Sequence, residues 1–198
     1  MNINIILFHD FETLDVFGPV EVLGKLPEEY KIKFYSPEGG IVISSQGTQV
    51  VTEPLNTMEK QSILIIPGGQ GTRELVSNEE FIYQLKNIAE QSLFCLTVCT
   101  GSALLAKTGL LKNRRATSNK NAFQWVMSVD MEVYWIKKAR WVTDGKYYTS
   151  SGVSAGMDMA LGFVADQFGL GKAKEIAQRI EYIWNSDRDN DIFAGDEI

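Results

Sequence analysis

Two apolar runs of strand length constrain the fold of this chain more than any other sequence feature. They are "SILIIPGG" at residues 62–69 and "SLFCLTVC" at residues 92–99. A strand that is apolar on both faces must be covered on both faces, and the segment between the two runs has helical spacing. The sequence therefore predicts an α/β fold, a three-layer sandwich with a mainly parallel central sheet. The length of 198 residues fits a single domain spanning residues 1–198.

The other predicted elements follow from apolar periodicity and from turn residues. Residues 30–37 alternate as a half-exposed strand does, residues 39–53 resemble two short strands, and Asp144-Gly145 indicates a hairpin. Helices are predicted over residues 72–91, 121–129, 154–169 and 170–186, and a helix that follows Cys99 is predicted to be closed by Gly109. A late-starting or kinked helix with Gly18 and Pro19 is predicted after a first strand at Asn4–His9.

The charge and composition of the chain argue against several function classes. Its formal net charge is −6, and an acidic chain repels a nucleic-acid backbone unless its cations cluster on one face. The one dense basic group, at Lys112, Arg114 and Arg115, is interpreted as a solvated loop. No apolar stretch approaches the ~18 residues of a membrane span, and the N-terminus lacks a basic leader. We therefore expect a cytoplasmic protein that binds neither nucleic acid nor membrane.

The chain contains only two cysteines and one histidine, which is too few for a metal-ligand constellation. Cys95 and Cys99 lie four residues apart on one predicted strand and its end, where a disulfide has poor geometry. We interpret both as free thiols, with Cys95 as buried packing. Neither a metal nor a cofactor is expected.

Cys99 stands at the corner where the second apolar run turns into a helix. Ligands of parallel α/β sheets bind beyond the carboxyl ends of the strands, and the free N–H groups of a helix start stabilise an anion. We therefore expect an accessible thiol with a pKa below the ~8.5 of a free cysteine. The pentad from Thr97 to Gly101 matches a nucleophile elbow at its second glycine but has Thr97 in place of the first.

Two further corners could complete a site around Cys99. The glycine-rich turn at residues 67–71 can bring backbone amides close to a developing negative charge. Asp15 and Glu12 follow the first strand, although carboxylates in such positions are also common helix caps. If His9, the single histidine, is structural, then no Cys–His dyad exists and a carboxylate must handle the proton.

Several motifs together resemble the ThiJ/PfpI family of the class I glutamine amidotransferase-like superfamily, and most closely its isonitrile hydratase branch. The resemblance covers nearly the whole chain and implies a flavodoxin-like fold, a homodimer and a small-molecule substrate. The motifs occur in one order: "TLDVFGPVEVL", "IIPGGQGT", "VCTGSALLAKTGLLKNRRAT", "YYTSSGVSAGMDMAL" and "IEYIWNSDRDNDIFA".

This resemblance implies a catalytic group and a reaction. Cys99 would be the nucleophile, and Asp15 and Thr100 would complete the site. The reaction implied is hydration of an isonitrile to an N-substituted formamide. Glu12 does not match the family's carboxylate and is expected to have a surface role.

The resemblance also implies the walls of the pocket. The backbone amides of Gly69 and Thr100 would stabilise an oxyanion, with Gly68 and Gln70 beside them at the substrate. Where relatives often carry a His-Trp pair after the Arg-Ala-Thr motif, this chain has Ser118 and Asn119.

Two rival functions stay open at this point. A low-pKa thiol at Cys99 could sense oxidants by forming a sulfenic or sulfinic acid. Glyoxalase-type hydration of 2-oxoaldehydes is a second option, although its usual carboxylate is a glutamate. A peptidase is disfavoured because Thr100 stands where proteolytic relatives place a histidine.

Overall fold

The computed structural model describes residues 1–195, and its centre is an eight-stranded sheet. The strands are β1 (Asn2–Ile6), β2 (Lys31–Ser36), β3 (Gly40–Ile43), β4 (Gln49–Pro54), β5 (Ile63–Ile66), β6 (Phe94–Val98), β9 (Trp141–Asp144) and β10 (Tyr147–Ser150), while β7 (Arg115–Ala116) and β8 (Tyr134–Trp135) form a separate pair.

The sheet order is β3-β4-β2-β1-β5-β6-β10-β9. The pairs from β4 through β2, β1, β5 and β6 to β10 are parallel, and the outermost pair at each edge, β3-β4 and β9-β10, is antiparallel. Strands β1 and β5 are buried almost throughout, as apolar strands in the middle of a covered sheet must be. The predicted α/β class with a mainly parallel sheet is confirmed.

Helices cover the sheet and carry the corners of the site. They are α1 (Thr13–Leu23), α2 (Thr72–Leu75), α3 (Glu79–Gln91), α4 (Gly101–Lys107), α5 (Phe123–Val129), α6 (Ala155–Phe168) and α7 (Leu170–Arg179), with 3-10 turns at Leu55–Thr57 and Ile192–Ala194. Within residues 1–195, no helix is long and apolar enough to cross a membrane.

Two helix predictions are wrong in their extent. The helix expected over residues 72–91 is two helices, because the Asn78 side chain accepts the Phe81 N–H at 3.0 Å and starts α3 anew. The helix expected over 170–186 ends at Arg179, and Glu181 takes a left-handed φ of 54°. The chain beyond it turns back to contact α6, where the Asn185 N–H donates to Asp158 at 3.0 Å.

Helices α1 and α6 approach closely at Gly18, whereas Gly156 on α6 mainly makes room for Val98 of β6. A Cβ added to Gly18 on α1 would lie 2.8 Å from Met157 Cγ, and one added to Gly156 on α6 would lie 3.6 Å from Pro19 Cγ. Helix α1 begins at Thr13 and runs through Gly18 and Pro19, so these two residues do not delay its start. This contact places the first turn of α1 next to the end of β6.

Candidate active site

Cys99 occupies a strained elbow between β6 and α4. Its φ of 57° lies in the left-handed region, which costs a non-glycine residue about 1–2 kcal/mol. Three contacts hold this conformation: the Cys99 N–H donates to the Ser151 carbonyl at 3.1 Å, and the Cys99 carbonyl accepts from the hydroxyls of Ser118 at 2.8 Å and Ser102 at 3.0 Å. The backbone is therefore fixed from both sides, as a nucleophile elbow requires.

Asp15 is a fully buried carboxyl group in the first turn of α1. Its Oδ2 accepts the Gly68 N–H at 2.9 Å, and its Oδ1 is buried without a hydrogen-bond partner among residues 1–195. Burial raises the pKa of Asp15 from 3.8 to about 7, against the lowering effect of the Gly68 N–H. The charge of Glu12 adds to the increase, and the Cys99 thiol opposes it. Asp15 is therefore an acid that exchanges its proton near neutral pH.

The Cys99 thiol is also buried, with an exposed fraction of 6%. Burial raises the pKa of Cys99, and the negative charge of Asp15 raises it further. The N–H and hydroxyl of Thr100 and the side chain of Asn119 act in the opposite direction but do not reverse the shift. The predicted lowering of the Cys99 pKa is therefore wrong, because desolvation outweighs the start of α4. At neutral pH the pair of Cys99 and Asp15 keeps at least one proton.

The turn after β5 packs between Asp15 and Thr100. A Cβ on Gly68 would lie 2.6 Å from the Thr100 nitrogen and 2.9 Å from Asp15 Oδ2, so only glycine fits there. Because the Gly68 N–H is donated to Asp15, it is not free to meet a substrate oxyanion. The structure thus gives Gly68 the task of orienting the carboxyl group.

Thr100 belongs to a hydrogen-bond network that the sequence did not indicate. Its Oγ1 accepts the Gly69 N–H at 3.1 Å, so this amide also has a protein partner, in contrast to the free amide expected at this turn. The Thr72 hydroxyl donates to the Gly69 carbonyl at 2.7 Å and lies 3.1 Å from Thr100 Oγ1. The network locks the glycine turn onto the start of α4.

A cleft of about 470 Å³ opens above Cys99. It is lined by the predicted residues Gly69, Gln70, Cys99 and Thr100, together with Glu12, Ser45, Gln46, Arg73, Asn119, Asn121, Ala122 and Val153. Val153 is β-branched and has a φ of 47°, which is a true outlier for such a residue. Two residues with strained backbones, Cys99 and Val153, thus line the same cleft. Strained backbone conformations cluster at functional sites.

Several sequence-based roles change in this cleft. Glu12 is half-buried and lines the cleft, and both of its oxygens accept from Gln46 Nε2 at 3.0 Å, so its surface position forms part of the cleft wall. Ser118 is buried behind the elbow, whereas Asn119 forms part of the wall and its Oδ1 accepts the Ala122 N–H at 3.0 Å.

Cys95 is buried in the middle of β6, and its thiol donates to the Ala89 carbonyl at 3.5 Å, as a packing role predicts. His9 is exposed and is not among the residues that line the cleft. Its Nδ1 accepts the Ile43 N–H at 3.4 Å. Asp15 is thus the titratable group that contacts Cys99, as expected if no Cys–His dyad exists.

Arg73, Gln46 and Asn121 are cleft residues that sequence reasoning missed. Arg73 follows the glycine motif directly and could have been suspected from that position, whereas Gln46 lies on the β3-β4 turn and Asn121 before α5, with no local signal. Among residues 1–195, no group of three or more His, Cys, Asp or Glu side chains is arranged to hold a metal ion.

The fold and the elbow define a class of protein, and comparison with known sequences agrees. The DJ-1/PfpI family matches residues 1–166, and the chain belongs to this family. Its sequence is 30% identical over 185 residues to an isonitrile hydratase of Pseudomonas putida, covering 92% of this chain and 78% of that protein.

Solved structures show the same architecture. A ThiJ/PfpI family protein from Pseudomonas syringae superposes with a TM-score of 0.81 at 27% identity, covering 91% of this chain and 74% of that one. DJ-1beta of Drosophila melanogaster superposes with a TM-score of 0.79 at 20% identity, covering 92% of this chain and 98% of that one, and supports the fold alone.

Proposed function

We propose that this protein hydrates isonitriles to N-substituted formamides through a covalent intermediate on Cys99. The observation that carries the proposal is the buried Cys99–Asp15 pair, in which Cys99 lines a cleft and Asp15 lies behind it, in a chain that is 30% identical over 92% of its length to an isonitrile hydratase. A sulfur nucleophile beside a carboxyl group that titrates near pH 7 suits a reaction that needs both covalent attack and proton transfer.

In the first step the Cys99 sulfur attacks the terminal carbon of R–N≡C. Asp15, in its ionised form, accepts the thiol proton and passes it to that carbon, which produces the thioimidate R–N=CH–S–Cys99. The raised pKa of Asp15 suits this exchange, because the carboxyl group is close to balanced between its two forms at neutral pH.

In the second step water adds to the thioimidate carbon while the nitrogen takes up a proton. The tetrahedral adduct R–NH–CH(OH)–S–Cys99 collapses to the formamide R–NH–CHO and returns the thiol. Thr100, whose hydroxyl lies at the elbow within the Gly69–Thr72 network, orients the water. The sum is R–N≡C plus water giving R–NH–CHO, with no cofactor consumed.

The oxidant-sensing alternative has less support from the geometry. Peroxide reacts with thiolates, and Cys99 is a buried residue with a raised pKa, so oxidation would need the same proton transfer to Asp15 and has no separate observation in its favour. The glyoxalase-type reaction usually relies on a glutamate. Here the carboxyl group that contacts Cys99 belongs to an aspartate, Asp15, and the side chain of Glu12 is hydrogen-bonded to Gln46 instead.

The proposal is tested by offering the purified protein an alkyl and an aryl isonitrile and measuring formamide. We expect Cys99→Ala to lose at least about four orders of magnitude in turnover, because both steps use the sulfur. Cys95→Ala is the matched control and should retain activity. Turnover by Cys99→Ala equal to wild type would end the covalent mechanism, and selective turnover of 2-oxoaldehydes would favour the glyoxalase-type reaction.

We also propose that the protein works as a homodimer. Exposed apolar side chains gather on the β3-β4 pair, where Ile41 is 57% and Val51 is 76% exposed, and on the C-terminal segment, where Ile183 is 92% exposed. Apolar groups this exposed often mark an interface. Light scattering at micromolar concentration tests the dimer, and a monomer mass would refute it.

A further inference from the structure

Arg73 places a guanidinium group in the wall of the cleft that contains Cys99. The guanidinium carbon lies 3.4 Å from the ring centroid of Trp125, a half-buried residue of α5. Such stacking holds a planar cation in one orientation and uses only its face. The edge of the guanidinium, with its N–H donors, is left for another group.

Those donors have no protein partner among residues 1–195. The Arg73 side chain makes no ion pair and no hydrogen bond there, although the chain is acidic overall with a net charge of −6. By contrast, Arg114 pairs with Asp144 at 3.0 Å, and Arg140 pairs with Asp158 at 2.7 Å. Arg73 is an exposed residue, and a guanidinium with one stacked face and a free edge is suited to a planar anion such as a carboxylate.

Two side chains of opposite charge line the cleft, Arg73 and Glu12. Arg73 is the cationic side chain that lines the same cleft as Cys99. The other ion in the wall, Glu12, is held by Gln46 and acts on Asp15. Thus an anionic group meets attraction on the Arg73 side.

Arg73 also lies at the boundary of a second cavity of about 500 Å³. Arg73 and Gln70 line both spaces. The second cavity has apolar walls from Phe8, Val42 and Leu75, and the acidic side chains of Asp10, Glu38 and Glu74 also line it, so an apolar substituent fits there whereas a second anionic group would be repelled. A molecule anchored at Arg73 can therefore extend away from Cys99 along an apolar surface.

We propose that Arg73, held by Trp125, binds a carboxylate of the substrate, and that the substrate class is a small isonitrile carrying a carboxylate, with its apolar substituent in the cavity beyond Gln70. This inference rests on the proposed function for the reacting group. It adds a recognition residue that the reaction itself does not require.

The kinetic test compares isocyanoacetate with its methyl ester, which lacks the negative charge and carries one additional methyl group. For the wild type we expect a higher kcat/KM for the acid. Arg73→Gln should lower the acid-to-ester ratio by about 10–100-fold, because charge-assisted hydrogen bonds to the carboxylate are lost. Arg73→Lys should recover part of the ratio. Arg179→Gln, on an exposed face of α7, makes the same change in net charge and should leave the ratio unchanged.

A binding test separates this inference from the reaction. N-formylglycine and its methyl ester are titrated calorimetrically into Cys99→Ala, with and without Arg73→Gln. Acid binding that Arg73→Gln weakens at least about tenfold supports the recognition site even if no isonitrile is hydrated, in which case only the proposed reaction fails. An acid-to-ester preference unaffected by Arg73→Gln, in either kinetics or binding, would overturn the role of Arg73.

Discussion

Asp15 and Asp158 occupy equivalent positions in two helices that pack together, yet they have opposite surroundings. Each lies in the first turn of its helix, α1 or α6, and each is fully buried. Asp158 contacts a cation, since Arg140 Nε lies 2.7 Å from its Oδ2. Asp15 has the neutral Gly68 N–H and the Cys99 thiol instead.

The Asp158 region is a closed network of paired charges. The Tyr182 hydroxyl and the Asn185 N–H each donate to Asp158 Oδ1 at 3.0 Å. Arg140 also reaches Asp191 at 3.4 Å, and Lys120 lies 3.9 Å from Asp191. Burial raises the pKa of Asp158, but Arg140 opposes the increase and stabilises the ionised form. This acid holds the C-terminal segment against α6.

The difference between the two acids shows that a buried carboxyl group can either stabilise the fold or take part in proton transfer, depending on whether a cation is next to it. A buried carboxylate paired with a cation is held in its ionised form, and removal of either partner strongly destabilises the folded state. A buried carboxyl group without a cation keeps a proton that it can exchange near neutral pH, which is the property of a general acid or base. The predictions below test this division, from the largest expected effect to the smallest.

Asp15→Asn should reduce kcat/KM for isonitrile hydration by about 10²–10⁴-fold, because the amide cannot accept the Cys99 proton. In the wild type, kcat/KM should rise with pH through about 7 as Asp15 ionises, and the variant should lack this inflection. The pH dependence of Cys99 alkylation by iodoacetamide provides a readout that does not depend on the substrate.

Glu12→Gln is the matched control for Asp15→Asn, because Glu12 lines the same cleft and affects Asp15 only through its charge. Its loss should be about threefold or less, with the inflection moved slightly to lower pH. If the two variants lost activity equally, the special role of Asp15 would be refuted.

Arg140→Met should lower the free energy of unfolding by about 3–5 kcal/mol, because it leaves Asp158 and Asp191 buried without their shared cation. Denaturant unfolding measures the change. Adding Asp158→Asn to this variant should recover much of the loss, since one uncompensated charge is removed. Activity per folded molecule should stay close to wild type, and a collapse of activity in the folded fraction would mean that the two regions are coupled.

The stability of the protein should fall between about pH 4 and pH 7 because of Asp15. The folded state holds the Asp15 proton up to a pKa of about 7, whereas the unfolded chain releases it near 3.8, so the folded state binds more protons in this window. The stabilisation is complete below the unfolded pKa and lost as pH rises through the folded one. A shift of this size corresponds to at most about 4 kcal/mol.

Comparing wild type with Asp15→Asn isolates this contribution, because the titration of every other group is shared. The difference in their unfolding free energies should favour the variant increasingly from pH 4 to pH 7 and then level off. A difference that is constant with pH would be inconsistent with a raised pKa at Asp15.

Tyr182→Phe should have the smallest effect, about 1–2 kcal/mol, because it removes a single hydrogen bond to Asp158 and leaves Arg140 in place. Thermal unfolding at neutral pH measures it. Tyr148→Phe, which removes a 2.9 Å hydrogen bond to Asp166 near the surface, is a control and should cost less. Equal costs would indicate that the Asp158 network is no stronger than an isolated side-chain hydrogen bond.

Local sequence patterns were enough to predict the architecture and the elbow. The apolar runs that became β5 and β6 required a covered parallel sheet, because strands without a polar face cannot meet water. The small and polar residues after β6 marked the turn at Cys99, since a strand-to-helix corner needs them locally. Helix limits were less predictable, as Asn78 and Glu181 show, because caps compete with periodicity.

The sequence by itself therefore determined which segments form the sheet and that Cys99 and Asp15 each follow a strand at a strand-to-helix corner. The tertiary structure alone decided their ionisation, because the pKa of Cys99 depends on how completely the surrounding chain removes water, and burial reversed the expected direction. It also decided that Arg73 meets Trp125, and that Arg140 meets Asp191, residues 52 and 51 positions apart. Pairings over such distances arise from packing of the whole sheet, and no local pattern encodes them.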